Sequence, residues 1–169
     1  VDVSFTISFQ PNTSDRGVTG DGKTPLNRQA FVTFGDKSWG SVKLGKDLGI
    51  FAGQAILNDM TLLGVGGSVN AYSGQSTTLG GIGTGYIYPA WKGQIAYTTP
   101  NMNGFTATIA ITNPNQGFIG TAGSAATVNG TNLNQDRFGV EGQVMYEWTG
   151  DVAGKVWASG ATYDVRGNM

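Results

Sequence analysis

Residues 1–10, VDVSFTISFQ, alternate strictly, with Val3, Phe5, Ile7 and Phe9 set against Asp2, Ser4, Thr6, Ser8 and Gln10. A period of two places each set on one face of a β-strand. The same period returns down the chain and predicts strands over 28–35, 39–46, 84–98, 105–112, 136–149 and 152–165. Within 84–98, Ile87, Trp91, Ile95 and Tyr97 share one parity, and Lys92 shares the other with Tyr88, Ala90, Gln94 and Ala96. Pro89 predicts a bulge or an irregular start there, because proline cannot donate to a ladder. In 105–112, Phe105, Ala107, Ile109 and Ile111 oppose Thr106, Thr108, Ala110 and Thr112. In 136–149, Phe138, Val140, Val144, Tyr146 and Trp148 oppose Arg137, Glu141, Gln143, Met145 and Glu147. The last strand, 152–165, shows the weakest alternation.

The connections between these strands alternate in length. Short turns fall at 36–38, 99–104 and 149–151, and long polar loops at 11–27, 47–83 and 113–135. One short helix fits within 49–60, GIFAGQAILNDM. Seven strands, almost no helix, and short turns all at one end form the pattern of an all-β, antiparallel up-and-down transmembrane β-barrel. No run of 18 apolar residues is present, so no transmembrane helix is expected.

Composition narrows the chemistry. Basic and acidic residues number 10 and 11, for a net charge of −1, so no surface of bulk positive charge is available for a nucleic acid. The chain holds no His and no Cys, which excludes Ser–His and Cys–His catalysis, zinc fingers, haem-ligating histidine and disulfides. Gly80–Gly85 (GGIGTG) lacks the spacing of a dinucleotide loop and opens no helix. Glu141 and Glu147 stand about 20 Å apart by strand rise, too far for a glycosidase pair. The expectation is therefore a protein that is not an enzyme, with no cofactor and no metal.

Periodicity alone fits two environments. In a soluble envelope β-sandwich the apolar face is core, and surface aromatics could bind glycans. In a membrane barrel the apolar face meets lipid and the polar face lines water. Aromatics near strand ends (Trp39, Trp91, Tyr97, Tyr146 and Trp148) suit the rings that mark a membrane interface. The charges of Arg137, Glu141 and Glu147 suit a face that looks into a water-filled lumen, where they keep their hydration.

Several motifs carry a family resemblance. Asn27–Gly49 (NRQAFVTFGDKSWGSVKLGKDLG), Ala55–Gly64 (AILNDMTLLG) and Ile95–Phe105 (IAYTTPNMNGF) resemble the general-diffusion porins of Gram-negative bacteria, in their beta-proteobacterial branch. The order and spacing of these motifs agree over most of residues 1–165. The resemblance implies an outer-membrane channel for passive diffusion of small hydrophilic solutes and ions. It implies a homotrimer of 16-stranded barrels set in outer-membrane lipid. It also implies that the third loop, 47–83, folds inward to narrow the pore and sets carboxylates against a ladder of basic residues. By position, Arg28 and Lys46 match ladder residues and Asp59 matches the first loop carboxylate. The third ladder position falls near Ala90, with Lys92 as substitute, and the second carboxylate position falls near Leu63, which is apolar. Three basic groups against one acid predict a mild preference for anions.

Two parities conflict with these roles. Lys46 shares its face with Val42 and Leu44, and Arg28 shares its face with Ala30, Val32 and Phe34. A bulge at Gly45, or an early start before the regular strand, would resolve them. Seven strands are too few to close a 16-stranded barrel. The chain is therefore expected to be a single partial barrel domain over 1–169, from the N-terminal half.

Overall fold

Alternation turns into strands where neighbours can complete the ladder. The computed structural model describes residues 1–10, 26–58, 68–70, 74–76, 89–113, 126–128, 131–134, 137–164 and 166–168. In chain order its elements are β1 (Asp2–Gln10), β2 (Leu26–Asp36), β3 (Gly40–Leu48), α1 (Gly53–Leu57), β4 (Ser68–Asn70), β5 (Gly74–Ser76), β6 (Trp91–Thr98), β7 (Phe105–Thr112), β8 (Ala126–Val128), β9 (Thr131–Asn134), β10 (Gly139–Trp148), β11 (Gly154–Thr162) and β12 (Arg166–Asn168). Seven of the strands form one antiparallel sheet in the order β1-β2-β3-β6-β7-β10-β11. Each strand pairs with the next long strand in sequence, so the sheet is an up-and-down meander. The short pieces form a β4-β5 pair and a β12-β9-β8 sheet.

Several element boundaries differ from the sequence reading. β3 runs on to Leu48, because Asp47 and Leu48 pair with Lys92 and Trp91. Among the described residues of the 84–98 strand, β6 begins at Trp91, since Pro89 lacks a donor and Ala90 takes a left-handed φ of +59°, and 84–88 lie outside the described residues. β10 begins at Gly139, where the ladder with Thr112 starts, leaving Arg137 and Phe138 ahead of the strand.

Turn chemistry explains the short connections. Asp36 accepts bonds from the backbone N–H and the hydroxyl of Ser38, at 2.9 and 2.7 Å, which folds the β2–β3 turn. In the β6–β7 turn, Asn101 accepts the N–H of Gly104 at 2.6 Å. Gly104 sits at φ +93°, and a Cβ there would strike the carbonyl oxygen of Glu147.

The register sorts side chains onto two faces. One carries Val3, Phe5 and Ile7 from β1, then Val32, Phe34, Val42, Leu44, Ile95, Tyr97, Ile109, Ile111, Val144, Tyr146 and Val156. The other carries Thr6, Thr33, Lys43, Asp47, Lys92, Gln94, Thr108, Glu141, Gln143, Lys155 and Ser159. Burial runs opposite to that of a soluble sheet. Phe5 is 79% exposed and Ile109 57%, whereas Glu141 is 0% exposed and Lys92 3%. Among the described residues, only Ile56, Ala96 and Ala110 are buried hydrophobic side chains.

Gly104→Ala should therefore lower stability by about 1–3 kcal/mol, through strain at a left-handed φ and the clash with Glu147. Gly160→Ala, with open space around its Cβ, should stay within about 0.5 kcal/mol of the parent. Urea unfolding followed by tryptophan fluorescence would separate them, and equal midpoints would refute the turn assignment.

Candidate functional site

The polar face becomes a site where the chain leaves β3. Residues 49–58 cross it and carry α1, which has five residues and no side-chain cap. A helix this short has little stability of its own. Its place is therefore set by contacts with the sheet.

Those contacts converge on Glu141. Its Oε2 accepts the backbone N–H of Phe51 at 2.9 Å. Its Oε1 accepts from the Lys92 ammonium and from the Tyr163 hydroxyl. Lys92 and Tyr163 also touch each other, Nζ to OH at 3.2 Å, with the ammonium 5.4 Å from the ring centroid. Nearby, the Ala52 N–H points at Ser159 Oγ at 3.5 Å, and Lys155 Nζ donates to Gln54 Oε1 at 3.2 Å. The Gln94 side chain donates to the Leu48 carbonyl at 2.9 Å, which holds the end of β3.

Small residues make room for this arrangement. Lys43, Ala96, Ala110, Glu141 and Ala161 form one row across the sheet by register. The buried alanines 96 and 110 leave the space that a longer side chain would fill. Gly139 lies on the same parity as Glu141, and a Cβ there would run into the Tyr163 ring. Burial first, and the Glu141 carboxylate second, push the Tyr163 phenol above the ordinary tyrosine range. It stays a neutral donor through physiological pH.

A second polar cluster lies on β2 and β3. Asp47 is buried and accepts from Gln29 Nε2 at 2.9 Å and from the Lys43 ammonium. Lys43 also stands 4.7 Å from the centroid of Phe31. A cavity of about 320 Å³ separates this cluster from α1, with Gln54, Leu57 and Gln143 among its lining residues.

The residues singled out in the sequence lie as follows. Arg28 falls at a register shift in the β1–β2 ladder, where Ser8 pairs with Gln29 and Phe9 with Asn27. That bulge frees it from the parity of Ala30 and Val32, and its guanidinium lies 5.8 Å from the centroid of Trp91. Lys46 stays in ladder register with Ala30, with no shift at Gly45 despite a φ of +130° there. Its ammonium donates to the Asn27 carbonyl at 2.9 Å. Lys92 sits beneath the crossing segment as an ion-paired group, where the sequence led us to expect an exposed wall charge. Glu141 is on the polar face but shut away from water, because residues 49–54 cover it. Glu147 is exposed on that face, opposite Lys155. Arg137 precedes β10 and pairs with Asp164 at 3.3 Å, both exposed. Asp59 lies outside the described residues.

The aromatics fall at two ends. Trp39, Tyr97, Tyr146 and Trp148 gather at the short-turn end, where Tyr97 OH donates to the Trp39 carbonyl at 2.6 Å and Tyr146 stacks on Trp148 at 6.1 Å. Trp91 stands at the opposite end, beneath Arg28. Sequence reasoning missed Lys43, Asp47 and Tyr163. For Lys43 the signal was present, since it alternates with Val42 and Leu44. Tyr163 carried none, because its meeting with Glu141 depends on the β10–β11 register.

Among the described residues no group of three or more His, Cys, Asp or Glu could hold a metal ion. No helix of the structure is long and apolar enough to cross a membrane, which says nothing of strands. Comparison with curated proteins and with solved structures returns no match. A family model described as Gram-negative porin matches residues 2–169. With an apolar face turned outward, a polar face that buries its charges, and a match over nearly its whole length, the chain belongs to the Gram-negative porin family, the non-enzymatic diffusion channels of the bacterial outer membrane.

Proposed function

We propose that this chain supplies part of the wall and the constriction of a water-filled channel for small hydrophilic solutes and ions. One observation carries the reading, the inverted burial of the two faces. An exposed apolar face is stable against lipid, and a polar face that buries ion pairs needs a wet or hydrogen-bonded interior. A soluble sandwich binding glycans would bury Phe5, Ile7, Ile95 and Ile109, and these are all exposed.

Among the described residues, β1 and β11 are the outer strands of the sheet, each paired on one side. Open edges are not tolerated in hydrocarbon. We read the barrel as completed by further strands, in a porin of the beta-proteobacterial type that assembles as a homotrimer. Segment 47–83 serves as its constriction loop within one barrel domain. Trp39, Tyr97, Tyr146 and Trp148 fit an interfacial girdle at the short-turn rim.

Arg28 supplies the basic side of the constriction and Asp59 the acidic side; Lys46, which keeps the ladder parity of Leu44, joins Arg28 through the reach of its side chain, whose ammonium bonds the Asn27 carbonyl beside it. Lys92 leaves this set, because Glu141 neutralises it. Lys43 and Asp47 likewise cancel. Two free basic groups against one acid still favour anions mildly. At about 10 Å, two unit charges interact by roughly 0.4 kcal/mol in water and about 1.7 kcal/mol at an effective dielectric of 20. The bias is therefore modest and weakens as salt shortens the screening length.

The protein isolated from outer membranes should migrate as a heat-labile oligomer and form ion-conducting pores in planar bilayers. Absence of any conductance would reject the reading. In a salt gradient, Arg28→Glu should move the reversal potential toward cations, with a smaller shift in the same direction for Lys46→Glu. An unmoved potential for both would remove them from the constriction. On the opposite face, Ile109→Arg should cost about 2–4 kcal/mol near the bilayer midplane and reduce the folded, heat-modifiable band. Thr108→Arg, one residue along and turned inward, should spare that band, and equal losses would show the faces to be misassigned.

A further inference from the structure

We propose that Lys92 and Glu141 are positioning residues of the channel. Their buried pair, joined by Tyr163, pins residues 49–58 to the inner wall and so sets the cross-section left for water. The inference rests on the porin reading above and names what holds its constriction in place.

Neither group can act on a passing solute. Their side chains are 2% and 0% exposed, and their charges cancel. A buried ion pair is also a poor source of stability, because desolvation offsets the attraction, and an apolar pair would fill the space as well. What an apolar pair could not do is accept a backbone hydrogen bond. Glu141 takes the N–H of Phe51, one residue before the left-handed Ala52 (φ +61°) that opens α1. At the start of α1, which has no side-chain cap, the carboxylate thus holds the main chain itself. Lys92 and Tyr163 are then needed to keep a fully buried carboxylate charged and oriented. They come from β6 and from just beyond β11, so the clamp ties the crossing segment to three separate parts of the wall. Ser159 and Lys155 add contacts to Ala52 and Gln54 on the far side.

The test is single-channel recording of the protein extracted from outer membranes. Lys92→Met strands the Glu141 charge, and Glu141→Gln strands the Lys92 charge while keeping an acceptor for Phe51. Each should raise the frequency of brief closures and the spread of conductance levels, by about tenfold for coupling of the usual size. The double variant Lys92→Met with Glu141→Gln should recover most of the quiet behaviour, and Lys92→Arg should approach the parent. The reversal potential should stay fixed throughout, since neither group faces the aqueous path. A pair that served folding alone would lower thermal stability and leave the open-channel record unchanged, which would overturn the proposal.

A second measurement covers failure of these variants to assemble. Ala52→Cys with Ser159→Cys, in a chain that otherwise has no cysteine, should cross-link in the outer membrane and leave conductance unchanged. No cross-link, or a cross-link that alters conductance, would show that the segment does not rest where the clamp requires. Loss of conductance in the parent itself would instead sink the porin reading, while the cross-link would still report the docking.

Discussion

Hydrocarbon offers no partner to a backbone N–H or C=O, so a chain that crosses it in strands must pair every one of them with a neighbouring strand. The meander of this protein follows from that constraint. Each long strand pairs with the next along the sequence, and the ladders run with one register shift, beside Arg28. Once backbone pairing fixes the sheet, the period of two decides the rest, because every residue must face either lipid or the interior. Phe5, Ile95 and Ile109 take the lipid side at no cost. Lys92, Asp47 and Glu141 are left to the interior, where each finds a charged or hydrogen-bonding partner.

The interior has its own difficulty. Residues 49–58 carry main chain across the polar face, away from the sheet's ladder. They meet the difficulty with side chains from the wall. Gln94 holds the Leu48 carbonyl, Glu141 the Phe51 N–H, and Ser159 faces the Ala52 N–H. Ala96, Ala110 and Gly139 stay small so that these contacts can form. The wall residues that look least functional in sequence thus create the room in which the polar ones act.

This division changes how charge is read along such a wall. Lys92 stands near the expected position of a ladder cation, yet its neighbours make it part of a clamp. Arg28 shares parity with apolar residues, yet a bulge turns it out of the ladder and over Trp91. Lys43 shows the reverse. Its parity placed it on the inner face, but with Asp47 beside it the charge is cancelled. Net lumen charge is set by which cations lack a carboxylate neighbour, and a count of lysines and arginines along the strands does not give it.

Local information decided much of this fold. The alternation in 1–10, 105–112 and 136–149 located strands and faces, because strand geometry sends successive side chains to opposite sides whatever the rest of the chain does. Asp36-Lys37-Ser38 and Pro100–Gly104 located turns for an equally local reason, a side chain or a left-handed glycine that folds its own backbone. The ends of the strands were less legible, since Asp47 and Leu48 join β3 only because Lys92 and Trp91 are there to pair with them. The site was least legible of all. Lys92 and Glu141 are 49 residues apart, and Phe51 and Glu141 are 90 apart. Their meeting depends on cross-strand register and on the path of the segment after β3, and no period along the chain encodes either. The sequence by itself determined which residues share a face of the sheet, because strand geometry alternates them locally; only the tertiary structure decided which face buries its side chains and which charges there neutralise one another, because that depends on contacts between strands distant in the chain.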